Sequence, residues 1–217
     1  GDFQIDCAGR PGGTDFLAVG TGGRGGNGGW IRVISVSTQH FVGTTSLNVV
    51  GSQGGNGGVA GEGGDGGRIS VVSQGDQTAT GVLAIAAQGG SGQESKHAAG
   101  GRGGNAGEVE VLSSAGQTWS GLFFVSTNGG QGGDSKSDQG GAGGAGGSVA
   151  ITAALDQVFS DVFLITSLGG SGGRSDGANG GAASDAGSVL VQAGGGQTFS
   201  GSVSVFGFGG GGGLGVP

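Results

Sequence analysis

The side chains best suited to catalysis or ion binding are few in this chain and lie apart. Its two histidines, His40 and His97, fall in different segments, and neither belongs to a recurring polar cluster. A general base needs a nucleophile and an orienting group held beside it. Serines are plentiful, but none sits in a G-x-S-x-G elbow between a strand and a helix. The acidic residues Glu94, Asp134, Asp138 and Asp176 offer oxygens of the kind calcium takes. The spacings of an EF-hand or a calcium-binding nonapeptide repeat are missing, so these residues read as solvated loop charges. G-x-G-x-x-G matches everywhere in so glycine-rich a chain and carries no information, and no phosphate-cradling G-x-x-x-x-G-K-[ST] is present. No catalytic, cofactor or metal site follows, and the chain reads as non-enzymatic.

One other group of functional side chains is ordered. Thr78, Thr80, Thr118, Ser120, Thr198 and Ser200 recur beside a regular aromatic position and would point away from it. His40, Val42 and Val158 interrupt that row of hydroxyls. It reads as solvation or glycan attachment, with ice binding as a third-ranked function.

The hydroxyl row is regular because the chain repeats. Gln39, Gln77, Gln117, Gln157 and Gln197 each stand four residues before a small turn residue (Gly43, Gly81, Gly121, Asp161 and Gly201), at spacings of 38, 40, 40 and 40. A period of this length marks one supersecondary unit stacked on its copies. Before each glutamine runs a strand pattern: Ile31 and Val33, Ile69 and Val71, Val109 and Val111, Val149 and Ile151, Val189 and Val191. Alternation with period two places each pair on one buried face. Two residues after the glutamine stands an aromatic column, Phe41, Trp119, Phe159 and Phe199, with Ala79 as the exception. A second strand follows the turn, in columns read as Asn48, Leu83, Phe123, Phe163, Val203 and Val50, Ile85, Val125, Ile165, Val205. Its other face is also partly apolar (Leu122, Phe124, Val162, Leu164), which requires a cover on both sides. The glutamine is expected either to form a ladder from layer to layer or to cap its own turn.

Sixty-three of the 217 residues are glycine, a composition that by itself suggests a flexible linker. The glycines are blocked, however, as in residues 54–67, 100–107 and 140–147, and the blocks alternate with the strands. Gly-Gly-X triplets fit a left-handed extended helix with three residues per turn, whose polar backbone must find partners in neighbouring chains. The runs are therefore expected to go out and back in a polyglycine II-like layer. Each pair of runs is joined by a polar tip: Glu94, Lys96 and His97; Asp134, Lys136 and Asp138; Arg174 and Asp176.

The formal net charge of −7 argues against nucleic acid as a partner. No stretch approaches the roughly 20 apolar residues of a membrane span. The single Cys7 makes no internal disulfide; it reads as a buried small residue or an intermolecular bridge. The scarcity of lysine and the lack of methionine and tyrosine suit an extracellular product.

Units such as Gly147-Ser148-Val149-Ala150-Ile151 and Gly187-Ser188-Val189-Leu190-Val191 resemble those of glycine-rich bacterial extracellular β-solenoid and fibre proteins. The glycine blocks are similar to two groups with polyglycine II segments, the tip adhesins of T-even-like phage tail fibres and springtail antifreeze proteins. The adhesin resemblance implies receptor contact through the variable tips.

The expected fold is all-β, a β-solenoid-like stack of about five units of 38–40 residues with polyglycine II-like segments, forming one domain over residues 1–217. The units are read as an N-terminal half-unit at 1–29, with its strand at 16–19, full units at 30–67, 68–107, 108–147 and 148–187, and a partial unit at 188–217. Neither end reads as a polar cap, so open ends are expected to stack on one another. The expected function is an extracellular structural protein that self-assembles head to tail into a surface fibre or sheath, its partner being itself. In that role the five glutamines and four aromatics would serve stacking. The alternative is an adhesin whose tips meet a cell-surface glycan or receptor.

Overall fold

The computed structural model describes residues 2–15 and 20–215. All its regular elements are strands. After β1 (Phe3–Asp6), five repeats contribute three strands each. They are β2 (Trp30–Ser35), β3 (Gln39–Phe41) and β4 (Thr44–Asn48); β5 (Arg68–Ser73), β6 (Gln77–Ala79) and β7 (Val82–Ala86); β8 (Glu108–Ser113), β9 (Gln117–Trp119) and β10 (Phe123–Ser126); β11 (Ser148–Ala153), β12 (Gln157–Phe159) and β13 (Phe163–Thr166); and β14 (Ser188–Ala193), β15 (Gln197–Phe199) and β16 (Val203–Phe206).

Equivalent strands pair in parallel, each with its copy in the next coil. They form a first sheet β14-β11-β8-β5-β2, a second β15-β12-β9-β6-β3 and a third β1-β4-β7-β10-β13-β16. The molecule is thus a β-solenoid. Ile69, Val71, Val109, Val111 and Ile151 from the first sheet meet Leu83, Ile85, Val125 and Ile165 from the third, all of them buried. The aromatic column of the second sheet lies between them. Trp119 packs at 5.0 Å from Phe123, and Phe159 stacks at 5.0 Å on Phe199. The small Ala79 does not leave a hole: Trp119 leans across its layer to within 6.3 Å of Phe41. Trp119 Nε1 is the one buried side-chain polar atom without a hydrogen-bond partner among the described residues. Filling that space therefore strands one donor.

One reading of the sequence needs correction. The third-sheet columns begin at Thr45 and Leu47, paired with Leu83 and Ile85, and not at Asn48 and Val50. The turn sets the register: Val82 N–H donates to the Gly43 carbonyl at 2.9 Å, which keeps the 38-residue offset through the strand. Asn48 instead points outward and donates from Nδ2 to Asp6 Oδ1 at 3.2 Å. The half-unit strand read at residues 16–19 lies outside the described residues. On the edge of β4 away from β7 the partner is β1, with Ile5 beside Leu47.

The glycine runs have a regular hydrogen-bond pattern of their own. In each Gly-Gly-X triplet the first amide donates to the next coil, as from Gly63 to Arg102 and from Gly103 to Ala142. The second donates sideways to the neighbouring run. Gly64 donates to Ser52, Gly90 to Gly64, Gly104 to Gly90, Gly130 to Gly104 and Gly144 to Gly130, each at 2.8 Å, in a zigzag seam. This is a polyglycine II-like layer, with outgoing and returning runs interleaved.

Glycine serves here for closeness and not for unusual torsions. Among the described residues only Gly43 has a positive φ, 81°, at the turn into β4. Elsewhere the neighbouring carbonyl occupies the place of a side chain: a Cβ on Gly144 would stand 1.9 Å from the Gly104 oxygen. The seam must open to admit it. Gly144→Ala is expected to destabilise by roughly 3 kcal/mol or more. Gly13→Ala, with nothing within 4 Å of its Cβ, should leave stability nearly unchanged in thermal or urea unfolding.

Candidate functional site

The residues singled out by their recurrence stand in columns along the stack. Parallel pairing places Gln39, Gln77, Gln117, Gln157 and Gln197 directly opposite one another in successive strands of the second sheet. Their side chains turn inward, and Gln77, Gln117 and Gln157 are fully buried. Each Nε2 donates to Oε1 of the preceding copy, at 3.0, 2.7, 2.8 and 2.7 Å in order along the chain. The second hydrogen of Nε2 faces a carbonyl within the adjoining first-sheet strand, as from Gln197 to Val191 at 3.2 Å. A buried amide is tolerated because both its ends are satisfied. The geometry is a ladder between layers and not a cap of the glutamine's own turn.

A second type of ladder was not recognised in the sequence. Asn27 Oδ1 accepts from the Asp65 amide, Asp65 Oδ1 from Asn105 and Asn105 Oδ1 from Ala145, at 2.8–3.0 Å. Asp76 and Asp156 do the same for Gly116 and Gly196 at the turns. These side chains cap amides that the glycine pattern leaves free, one coil further on. The signal was a recurring Asn or Asp at one phase of the triplets, hidden by the variability of the same position in other copies.

The tips are anchored turns. Ser95, Ser135 and Ser175 pair in successive bridges and are buried. Their hydroxyls donate to the preceding tip, at Gly58, Ala98 and Asp138, at 2.6–2.9 Å. They also accept the amides of Ala98, Asp138 and Ala178 in their own tips. The predicted tip residues surround these serines at the surface. Lys136 bridges Glu94 at 3.3 Å and Asp176 at 3.7 Å in the coils on either side, and Arg174 meets Asp176 at 3.1 Å. The hydrogen bond to Glu94, with the charges of Glu94 and Asp176 nearby, holds the Lys136 ammonium above the usual lysine range. Lys96, His97 and Asp134 are exposed, and the Asp134 carboxylate accepts the Arg174 amide at 2.7 Å.

Among the described residues the two histidines stay apart. His40 lies on the outer face of the second sheet with Nδ1 at 2.5 Å from Thr78 Oγ1, away from the His97 tip. No group of three His, Cys, Asp or Glu is placed to hold a metal ion among the described residues. No helix among them is long and apolar enough to cross a membrane. Cys7 is a partly buried free thiol packed against the core.

The last described coil is different. Phe199, Val203 and Val205 continue buried columns yet are 40%, 44% and 48% exposed. The strands β14, β15 and β16 have one unpaired edge each.

The fold makes this chain a parallel β-solenoid of about five coils with a close-packed glycine block. No protein-family model, curated protein or solved structure matches it.

Gln117→Leu removes the donor to Gln77 Oε1 and the acceptor of one Gln157 Nε2 hydrogen in the core, and is expected to cost about 2–4 kcal/mol in urea unfolding. Gln197→Leu, at the exposed end of the ladder, takes away only the donor to Gln157 Oε1 and should cost less than Gln117→Leu, about 1–2 kcal/mol. In Gln117→Glu the buried site favours the neutral acid and raises the folded pKa. The variant is then closest to the parent in stability below the unfolded glutamate value, about 4.3, and loses stability as pH rises.

Proposed function

We infer that this chain is a non-enzymatic extracellular structural protein whose coils extend head to tail into a surface fibre or sheath. One observation carries the reading: every coil binds the next through the same one-directional set of donors and acceptors. Each glutamine Nε2 donates toward the preceding coil, while the first amide of each glycine triplet donates toward the following one. A further coil laid on β16 therefore meets unused acceptors and donors in the pattern already used within the chain. Two equal ends meeting would oppose donor to donor, so the contact that fits is heterologous and propagates.

The two described ends are not complementary halves. The third sheet has six strands and the other two have five. A second copy seated directly on the first thus joins through β1 laid on β16. That joint would set Phe3 and Ile5 over Val203 and Val205, apolar on apolar. Open, exposed strand edges of this kind are templates for pairing with another chain.

The tips favour a second reading, an adhesin. Lys96, His97, Asp134 and Arg174 vary in chemistry on turns of fixed spacing anchored by Ser95, Ser135 and Ser175, a rigid frame for recognition of a glycan or receptor. Exchange of the tip residues alone should then change cell binding without changing the unfolding temperature.

Fibre formation by the 217-residue chain is tested by electron microscopy together with light scattering. Unbranched filaments are expected, and Val203→Glu, which puts a charge in the proposed joint, should abolish them while the strand signal in circular dichroism persists. A chain that stays monomeric at all concentrations, or filaments unaffected by Val203→Glu, would overturn this reading.

A further inference from the structure

The sequence Asn-Gly-Gly occurs at Asn27, Asn56, Asn128 and Asn179. An asparagine followed by glycine loses its side-chain amide without an enzyme once the two groups can meet. The glycine nitrogen, its proton gone to a base in solvent, attacks the asparagine Cγ. A nitrogen–carbon bond forms there, the bond to the side-chain nitrogen breaks, and ammonia leaves. Water then opens the cyclic imide at either carbonyl, giving isoaspartate or aspartate. Each event thus consumes one water and releases one ammonia. Glycine suits the step because it has no side chain to hinder the approach or restrict its torsions. The local sequences are alike, so the fold decides where the reaction runs.

Two of these sites are clipped shut by the next coil. Asp65 donates its amide to Asn27 Oδ1 at 2.9 Å and accepts the Gly28 amide at 2.8 Å. Leu168 does the same for Asn128 and Gly129, at 3.0 and 2.8 Å, and Asn128 Nδ2 also donates to Ser126. One residue thus holds both groups that would have to react, and they meet only if the coils part locally. Asn56 has no such clip. Its coil is two residues shorter than those that follow, and the loss falls at the tip. Gly57 bridges to Ser95, 38 positions on, while past the tip Gly64 approaches Gly104, 40 positions on. Gly57 therefore stands in the column of Ser95, Ser135 and Ser175 but lacks the hydroxyl that ties those turns. The three serines also donate their amides to Asp134, Arg174 and Leu214. The Gly57 amide has no partner in comparable geometry among the described residues, and neither has the Asn56 side chain. At Asn56 the main-chain carbonyl is bound, by the Asp15 amide at 2.8 Å. Exposure does not separate the sites, because Asn27 is exposed as well. Asn179 lies in the last described tip, where the Gly180 amide has the place from which Gly100 and Gly140 meet the coil after theirs, so its rate depends on stacking.

We propose that Asn56 is the site of spontaneous deamidation in the folded protein, while the clips from Asp65 and Leu168 keep Asn27 and Asn128 intact. Conversion puts a carboxylate on the first tip and, in the isoaspartate, one more carbon in its main chain. Both changes fall outside the glutamine ladder and the glycine seam, so the stack survives them. The site lies between Asp15 on one coil and Ser95 on another, and does not depend on end-to-end stacking.

The test is site-resolved peptide mapping by mass spectrometry during incubation in mildly alkaline buffer, with and without guanidinium chloride. In the unfolded chain Asn27, Asn56 and Asn128 should convert at similar rates. In the folded chain Asn27 and Asn128 should slow by about tenfold or more, whereas Asn56 should stay within about threefold of its unfolded rate. Isoaspartate and aspartate should both be found at this residue. Asn56→Gln should remove the acidic species that maps to the first tip, with little change in unfolding temperature. Slowing of Asn56 to the same extent as Asn27 and Asn128 would overturn the assignment. So would conversion of either of those two in the folded chain as fast as Asn56.

Discussion

The approach of one glycine backbone to the next is the constraint on which the rest of this structure depends. A Cβ placed on Gly104, Gly130, Gly144 or Gly170 would lie 1.9–2.0 Å from the carbonyl oxygen of the equivalent run one coil before. At that separation the runs satisfy their amides with one another and need no strand beside them. They return the chain to its starting point one coil further on, and every strand then meets its own copy. The length of the glycine circuit thus sets the parallel register of all three sheets.

Perfect register has a chemical consequence. Like residues lie over like, so each column must hold side chains that tolerate their own copies. Glutamine does so by donating at one end and accepting at the other, and serine at the tips does the same with its single hydroxyl. Asparagine and aspartate cap a backbone amide in the next coil. Charges that repeat stay at the exposed tips: Glu94 lies in register with Asp134 and Lys96 with Lys136, and Lys136 offsets this by bridging diagonally to Glu94 and in register to Asp176. Aromatic rings repeat with offset stacking, or with a Trp reaching across an Ala. Each of these arrangements has a direction, which gives the whole stack a polarity.

Much of this was legible in the sequence. The recurrence of glutamine marked the coil length, and the alternation of Val109 and Val111 with Glu108 and Glu110 marked a sheet with one buried face. The glycine blocks pointed to an interleaved layer because two runs flank each tip. The first third-sheet columns were misplaced at Asn48 and Val50, because a polar Thr45 occupies the buried position there. The anchoring role of Ser95, Ser135 and Ser175 was hidden among charged neighbours that differ from tip to tip. The Asn and Asp ladders were obscured because their partners are backbone amides, which leave no trace in side-chain pattern. No such ambiguity attends the outward face of the third sheet. Its apolar residues were visible in the sequence, and Leu122 and Val162 among them stay 36% and 38% exposed.

Amide hydrogen exchange followed by NMR tests most directly whether the glycine runs are part of the folded core. The first and second glycines of the inner triplets, such as Gly103, Gly104, Gly143 and Gly144, donate within the layer. They should exchange as slowly as Val109 and Val111, with the third residue of a triplet, such as Ala142, exchanging far faster. Exchange of all these glycines at the rate of an unfolded chain, while the strands stay protected, would contradict the account.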